Sequence, residues 1–310
     1  MRYLCAQPAT LYYAWQIDTL IYNFINNNIN QSQIDIVCSV EKKIDDYFYI
    51  LEEKYRDVNF YFYQDTRTDF TYISSVRPHI LKKHFEKYPD LYKGSFLYHD
   101  CDIALTQELD LDKYLCTCND NCYLSDTRSY IGYNYIMEKG EAVLNRMIQT
   151  IDIDRELVKA NQDNSGGAQY LLKNIDHKFW EQVEIDCVQL YKNTTSVNAK
   201  IKGLNPEYHE LQIWCSDMWA VLWNLWKLGR TTPIIRELNF MFAVDGIEMW
   251  DNKPIYHNAG VTGGNIDLFN KGKYIEMLPP EYLEINPKKA SYKYYELVKK
   301  ALYEYKGNNN

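Results

Sequence analysis

The first third of the chain alternates strand-like segments with helix-like segments, and this pattern limits the possible folds more than any other feature. Four apolar runs favour strands, and the segments between them carry apolar residues at helical spacing. The predicted strands cover residues 2–6, 34–40, 58–63 and 95–105, and the predicted helices cover residues 12–25, 41–55 and 74–88. Helices of this length between strands imply right-handed crossovers. The sequence therefore predicts an α/β fold with a mostly parallel central sheet flanked by helices.

The second half of the sequence is less regular and favours helices. The predicted helices cover residues 166–173, 178–190, 211–228 and 290–305, and a short strand is predicted over residues 253–258. Trp219, Trp223 and Trp226 share one helical stripe, which we interpret as core packing rather than a ligand platform. No linker or repeat divides the chain, so we expect one compact unit with a helical C-terminal part.

Composition excludes several classes of protein. The 29 tyrosines exclude a disordered chain. Lys and Arg number 34 against 42 Asp and Glu, so the net charge of −8 disfavours non-specific coating of nucleic acid. No apolar run approaches the roughly 20 residues of a spanning helix, and no secretory signal is apparent. We therefore expect a cytoplasmic protein whose eight cysteines are reduced. Zinc binding by Cys116, Cys118 and Cys122 is disfavoured because a fourth ligand is missing.

The sharpest chemical signal is the Asp100-Cys101-Asp102 motif. In an extended segment the two carboxylates share one face, and here they follow an apolar strand. Two hard anionic ligands at the end of a parallel strand suit a divalent cation whose other positions take water and phosphate oxygens. An Asp-x-Asp pair alone is a weak signal, and its place after three strand–helix units strengthens it.

A histidine and two lysines form the second signal. His257 ends a predicted strand and is followed by a glycine-bearing loop, and Lys271 and Lys273 come shortly afterwards. Such a loop can close over a diphosphate. An imidazole that joins two carboxylates favours Mn²⁺ over Mg²⁺.

Three further segments supply candidate binding residues. Asp163 or Asn164 is expected to cap a following helix, and Asp163 or Gln169 is expected to face the reacting group. Arg77 lies near the start of a predicted helix, where it could contact a pyrophosphate. At the N-terminus, Gln7 and Pro8 directly follow the first strand, where parallel sheets contact a nucleotide base, and Trp15 and Gln16 open the next helix.

Together these motifs resemble the GT-A-fold glycosyltransferases, which use a nucleotide sugar and an Asp-x-Asp metal site. The aromatic-x-Trp-Gln run at residues 13–16, Arg77-Pro78 ahead of Asp100-Cys101-Asp102, and His257 with its glycine loop look like one branch of them. That branch includes the peptidyl serine galactosyltransferases and the hydroxyproline arabinosyltransferases. The segment at 163–170 and the tryptophan helix are similar to viral or bacterial relatives, which implies that a virus-encoded protein could act in a host cytoplasm.

The resemblance implies a role for each candidate residue. Asp100, Asp102 and His257 would be metal ligands, and Gln7, Pro8 and Arg77 would lie on the donor side. Residues 1–135 would bind the nucleotide sugar, and residues 136–310 would bind the acceptor. The reaction would move a sugar from a UDP-linked donor to a hydroxyl of a glycan, a protein or a modified DNA base. Mn²⁺ or Mg²⁺ would assist the departing diphosphate together with Lys271 or Lys273.

The residues themselves determine neither the stereochemistry of the reaction nor its class. The related families imply retention at the anomeric carbon, whereas inversion would need a carboxylate base, for which Asp163 is the candidate. One alternative is a phosphatase with Asp100 as nucleophile. Another is a carbohydrate-binding module without turnover.

Overall fold

The chain forms two compact units, each built from several stretches of sequence. The structure is a computed structural model that describes residues 1–115 and 120–305. The first unit contains Met1–Gln64, Tyr98–Lys113 and Arg236–Asn310, and the second contains Asp65–Leu97 and Tyr114–Ile235. The two units are defined by how the chain packs. The donor half expected at 1–135 and the acceptor half expected at 136–310 are assignments of function, and they stay predictions.

Nine strands and ten α-helices lie within the described residues. The strands are β1 Arg2–Pro8, β2 Ile34–Val40, β3 Asn59–Gln64, β4 Ser95–His99, β5 Ile103–Leu105, β6 Tyr123–Asp126, β7 Gly166–Lys173, β8 Phe240–Phe242 and β9 Ile255–His257. The helices are α1 Leu11–Asn26, α2 Tyr47–Lys54, α3 Val76–Lys87, α4 Arg128–Ile131, α5 Tyr133–Lys139, α6 Glu141–Ile151, α7 Arg155–Ala160, α8 His177–Leu204, α9 Ser216–Lys227 and α10 Ala290–Lys299. No helix in this described part of the chain is both long and apolar enough to span a bilayer.

The first unit is built on the parallel strands β1, β2 and β3. β1 pairs with β2 and β2 with β3, both in parallel, which confirms the predicted α/β class. The order in this unit is β3-β2-β1-β4, and only the last two residues of β4 belong to it. Because β2 and β4 flank β1, the chain changes direction across the sheet at β1. Such a switch point is where α/β sheets bind their ligands.

A small second sheet in the same unit has the order β5-β9-β8. β5 pairs with β9 in antiparallel fashion, and β8 pairs with β9 in parallel. The single strand predicted over residues 95–105 is therefore wrong. The chain turns after β4, and residues 100–102 connect β4 to β5. The two aspartates thus lie in a turn between two sheets rather than on one face of an extended strand.

The boundaries of several helices also differ from the prediction, and the largest difference is in α8, which runs to Leu204 rather than ending at residue 190. α2 begins at Tyr47 rather than at residue 41, because the Asp45 side chain accepts a hydrogen bond from the Tyr47 amide and ends the preceding loop. α10 ends at Lys299 and continues as a short π-helix, Lys300–Glu304.

The second unit contains a further error of the sequence prediction. Residues 166–173, expected to be helical, form β7, which pairs with β6 in antiparallel fashion. All eight residues of β7 are buried. Because even the polar Gln169 and Lys173 are buried, β7 lacks the alternation of buried and exposed positions by which a sequence pattern marks a strand.

Helices pack around this part of the second unit. α8 packs against α3, α6 and α9. Trp219, Trp223 and Trp226 of α9 are all buried, which confirms the interpretation of their stripe as core. The Trp219 indole donates to the Ile131 carbonyl oxygen at 2.8 Å, so the helix is also held by a polar contact.

One buried ion pair holds α1 to α2 in the first unit. Asp18 is fully buried, and it accepts hydrogen bonds from the Lys54 ammonium at 2.8 Å, the Tyr47 hydroxyl at 2.8 Å and the Tyr55 hydroxyl at 2.7 Å. Burial raises the pKa of Asp18, and these three donors counteract the rise.

We expect Asp18→Ala to lower the free energy of unfolding by about 3–5 kcal/mol, because it leaves the Lys54 charge buried without its carboxylate. The measurement is chemical denaturation at neutral pH. Asp90→Ala is the matched control, since the Asp90–Lys93 pair is exposed and should change stability by less than about 1 kcal/mol. Equal effects of the two substitutions would contradict the role assigned to Asp18.

Candidate metal centre

The pairing of β5 with β9 brings the predicted metal ligands together. In its register Ile103 lies opposite His257. The next amide on β9, that of Asn258, donates to the Asp102 carbonyl oxygen at 2.9 Å. The turn that carries Asp100 and Asp102 comes directly before β5, so the ladder fixes both carboxylates beside the imidazole.

Asp100, Asp102 and His257 form a compact cluster. Each offers one ligand atom, and these atoms all lie within 4.8 Å of one another. His257 Nε2 is 3.7 Å from Asp100 Oδ2 and 3.4 Å from Asp102 Oδ1. The Asp102 side chain is 6% exposed and that of Asp100 is 25% exposed, so the cluster is accessible on the Asp100 side.

This donor set fits a divalent metal ion. Neighbouring ligands of an octahedral ion with bonds of about 2.1 Å stand about 3 Å apart, close to the separations seen here. Two carboxylates balance the charge of the ion, and the neutral imidazole suits a transition metal such as Mn²⁺. The grouping of these three ligands is as predicted, and the identity of the ion stays a prediction.

A lysine supplies a positive charge beside the two carboxylates of the cluster. The Lys271 ammonium forms an ion pair with Asp102 Oδ2. Burial alone would raise the pKa of Asp102, but Lys271 and His257 outweigh it and hold this pKa well below its ordinary value. Burial would likewise lower the pKa of Lys271, and Asp102 raises it instead. Lys273 is exposed on the same turn, Lys271–Lys273.

The N-terminal candidates are mostly buried. Gln7 and Pro8 are the last two residues of β1 rather than the start of a loop, and Gln7 is buried. Trp15 is fully buried in the core, where its indole donates to the Tyr274 carbonyl oxygen at 3.1 Å. Gln16 is also buried and donates to the Tyr12 carbonyl oxygen at 2.6 Å. Trp15 and Gln16 thus stabilise α1, and a role in nucleotide binding stays a prediction for them.

Arg77, in the first turn of α3, has a protein partner within the second unit. Its guanidinium lies 2.5 Å from Asp217 Oδ2, and the Tyr72 hydroxyl donates to Asp217 Oδ1 at 2.6 Å. This contact orients Arg77, and a contact with a pyrophosphate stays a prediction.

Asp163 and Gln169 occupy different environments in the second unit. Asp163 lies in a single 3₁₀ turn that leads into β7, so the expectation that it caps a helix is wrong. Its side chain is 89% exposed and lies 3.7 Å from Arg128. Gln169 is buried: its carbonyl oxygen accepts from the Ser125 hydroxyl at 2.6 Å, and its amide nitrogen has no hydrogen-bond partner among the described residues.

The backbone around Gln169 is unusual for a strand. The β6–β7 register shifts between Leu124 and Ser125, and Ala168 has a left-handed φ of +66°. A bulge of this kind re-aims a side chain, and strained backbone of this kind collects at functional sites. Gly166 precedes the bulge, and a Cβ there would lie 2.4 Å from the Leu124 Cβ and 2.7 Å from the Ser125 carbonyl oxygen.

Sequence reasoning missed two features of the site. It did not assign a role to Asn258, whose amide links β9 to Asp102 and whose carboxamide oxygen accepts from the Tyr256 hydroxyl at 2.8 Å. It also did not foresee the ion pair of Lys271 with Asp102. The only signal for Asn258 was its position directly after His257. Of the cysteines considered for zinc, Cys122 is buried, and Cys116 and Cys118 lie outside the described residues.

Comparisons with known proteins give structural similarities of low score. No family model matches the sequence, and no curated protein matches it. The galactosyltransferase LgtC with donor and acceptor sugar analogs is similar at 10% identity over 96% of this chain and 95% of that chain, with a TM-score of 0.49. The apo structure of the bifunctional glycosyltransferase WbbM is similar at 12% identity over 84% of this chain, with a TM-score of 0.48, and the match spans 46% of WbbM.

A third similar structure is apo mouse xyloside xylosyltransferase 1, at 8% identity over 83% of this chain and 96% of that chain, with a TM-score of 0.44. TM-scores below 0.5 do not assign a fold family.

We expect Gly166→Ala to lower the free energy of unfolding by about 1–3 kcal/mol, because the added methyl group would overlap the β6 backbone. Gly203→Ala is the control, since a Cβ at this position in α8 meets no atom within 4 Å. It should leave stability unchanged or raise it by up to about 1 kcal/mol. Urea unfolding measures both, and a tolerated Gly166→Ala would contradict the close approach of the strands.

His99, the last residue of β4, generates a prediction about pH. Burial lowers its pKa to about 4, and its Nδ1 donates to the Asp100 carbonyl oxygen at 2.9 Å. The unfolded chain takes up a proton near pH 6.5, whereas the folded chain does so only near pH 4. The contribution of His99 to the free energy of unfolding is therefore fully present above pH 6.5. This contribution falls by about 3 kcal/mol as the pH drops to 4.

His99→Asn should reduce this acid loss, because Asn keeps a donor for the Asp100 carbonyl and does not titrate. The free energy of unfolding at pH 7 and at pH 4.5 gives the difference for each variant. The same substitution at the exposed His209 serves as control and should leave the acid loss at its wild-type size. An unchanged loss in His99→Asn would rule out His99 as its source.

Proposed function

We propose that this protein is a metal-dependent, GT-A-type glycosyltransferase that moves a sugar from a nucleoside diphosphate sugar to a hydroxyl acceptor. The observation that carries the proposal is the cluster of Asp100, Asp102 and His257 in the turn after β4 and at the end of β9. This turn follows a strand next to the switch point of a sheet with parallel strands, where nucleotide ligands bind.

The three ligands leave room for oxygens of a substrate. Asp100, Asp102 and His257 occupy three positions of an octahedral ion, and the partly exposed Asp100 side leaves the others for phosphate and water. A divalent ion held here would supply Lewis-acid stabilisation of the negative charge on the departing diphosphate. The sequence resemblance supports UDP as the nucleotide. The imidazole ligand supports Mn²⁺ as the ion.

The chain's own residues then have distinct tasks. Gln7 and Pro8, at the end of β1, lie at the switch point and are our candidates for contacts with the nucleotide. Lys271 and Lys273 are candidates for contacts with the diphosphate, since they begin and end one turn beside the cluster. Arg77 remains a donor-side candidate on the sequence resemblance.

Gln169 and Asp163 are our candidates on the acceptor side. The amide nitrogen of Gln169 is a buried donor without a partner among the described residues, and the bulge in β7 aims this side chain. A carboxamide suits a retaining reaction, in which it would contact the reacting sugar without taking a proton. If the reaction inverts, the exposed Asp163 carboxylate is the candidate base.

The acceptor class stays open among a glycan, a protein and a modified DNA base. From the sequence resemblance we also propose that residues 1–135 form the donor half and residues 136–310 the acceptor half. Action in the cytoplasm is a proposal from the sequence pattern, and a virus-encoded origin is a proposal from the resemblance to viral relatives.

We expect UDP-sugars to raise the melting temperature of the protein only when Mn²⁺ is present, because a ligand of the native state stabilises it. Asp102→Asn should abolish this shift and lower sugar transfer or donor hydrolysis at least about hundredfold, since several kcal/mol of charge stabilisation would be lost. Thermal-shift screening of UDP- and GDP-sugars and product detection from the shifting donor are the measurements.

Asp57→Asn is the matched control, because Asp57 is an exposed carboxylate in the same unit. Its shift and turnover should equal those of the wild type. Binding of no nucleotide sugar with Mn²⁺ would overturn the proposal. A phospho-aspartate trapped at Asp100 would indicate a phosphatase instead, and glycan binding independent of nucleotide and metal would indicate a binding module.

A further inference from the structure

We propose that Lys271 is an internal cation that occupies Asp102 until a divalent ion displaces it, so that the metal and the diphosphate bind synergistically. The proposal rests on the proposed function, because it concerns the same Asp100, Asp102 and His257 cluster. It adds an order of events that the ligand set alone does not give.

The two oxygens of Asp102 have different partners. Oδ2 pairs with the Lys271 ammonium, and Oδ1 faces His257 Nε2 at 3.4 Å. Without a metal, the ammonium neutralises one of the two carboxylate charges of the cluster. Asp102 is buried, so an unpaired charge there would be costly, and Lys271 relieves that cost.

A divalent ion would change this balance. The carboxylates of Asp100 and Asp102 together match the charge of the ion, and the Lys271 ammonium then becomes an extra positive charge close to it. Like charges at such short range in a partly buried site repel strongly. Metal binding therefore has to displace Lys271 from Asp102, which weakens the affinity of the free protein for the metal.

The surroundings of Lys271 allow its side chain to move while its backbone stays in place. Phe269 and Tyr274 flank the turn and are buried, with their rings stacked at a centroid distance of 5.8 Å. The Trp15 indole holds the Tyr274 carbonyl oxygen, and the Asn270 side chain accepts from the Gly272 amide at 3.0 Å. Release of Lys271 thus needs only rotation of its flexible stem, which is 30% exposed.

A diphosphate gives the displaced ammonium a new partner. Its negative charges would attract both the ion and Lys271, so each ligand lowers the free-energy cost of binding the other. By linkage, the nucleotide then raises the affinity for the metal by the same factor as the metal raises the affinity for the nucleotide. Lys271 is the element with two arrangements that couples the two ligands.

The test measures Mn²⁺ binding without any turnover. Isothermal titration of the full chain, or electron paramagnetic resonance of free Mn²⁺, gives the affinity with and without UDP. We expect Lys271→Met to bind Mn²⁺ about tenfold more tightly than the wild type in the absence of UDP, within the usual range of coupling between sites. The same variant should lose most of the gain in affinity that UDP gives the wild type.

Lys288→Met is the control, because it removes an exposed lysine of the same unit. Both of its affinities should match the wild type. Lys271→Gln is a second variant in case Lys271→Met does not fold, and circular dichroism establishes which variants are folded. Equal or weaker Mn²⁺ binding by the folded Lys271 variants would overturn the inference and would show that Lys271 only orients Asp102.

Asp102→Asn separates this inference from the proposed function. If the wild type binds Mn²⁺ and Asp102→Asn does not, the metal site stands, whatever the Lys271 variants show. If the wild type binds no Mn²⁺ with or without UDP, both proposals fail.

Discussion

The short antiparallel ladder between β5 and β9 is the interaction on which the candidate site depends. It joins Ile103–Leu105 to Ile255–His257, two segments about 150 residues apart in sequence. Three residue pairs are a small contact, but the strands are buried, and the Asn258 amide extends the ladder to the Asp102 carbonyl. Without this pairing, the aspartate turn and the histidine would have no fixed relation, and neither would form a metal site alone.

The electrostatics of the cluster follow from its burial. Asp102 is nearly inaccessible to solvent, so its charge needs a partner inside the protein. Lys271 and His257 provide that partner from the C-terminal part of the first unit, and the buried aromatic residues Phe269 and Tyr274 hold the turn of Lys271 in place. Packing of the Phe269 and Tyr274 rings thus determines where the Lys271 ammonium lies. That ammonium in turn sets the net charge of the cluster to which a metal ion would bind.

The sequence predicted the α/β class, the parallel strands and the three residues of the cluster, because each depends on local pattern. Apolar runs of strand length mark β1, β2 and β3 directly, and an Asp-x-Asp motif after a strand is visible by eye. It failed at residues 166–173, where all positions are buried and the pattern carries no period. It failed again at residues 95–105, since nothing in the sequence marks where a strand leaves one sheet for another.

Roles that depend on partners far along the chain could not be derived from pattern. The sequence by itself determined which residue types were available: two aspartates after a strand, a histidine before a glycine loop, two lysines, and a glutamine in a glycine-led segment. Tertiary structure decided that Trp15 packs in the core, that Arg77 pairs with Asp217, and that Lys271 lies on Asp102. Local pattern records the preferences of neighbouring residues, whereas the partner of a buried charge is fixed only when distant strands and helices pack together.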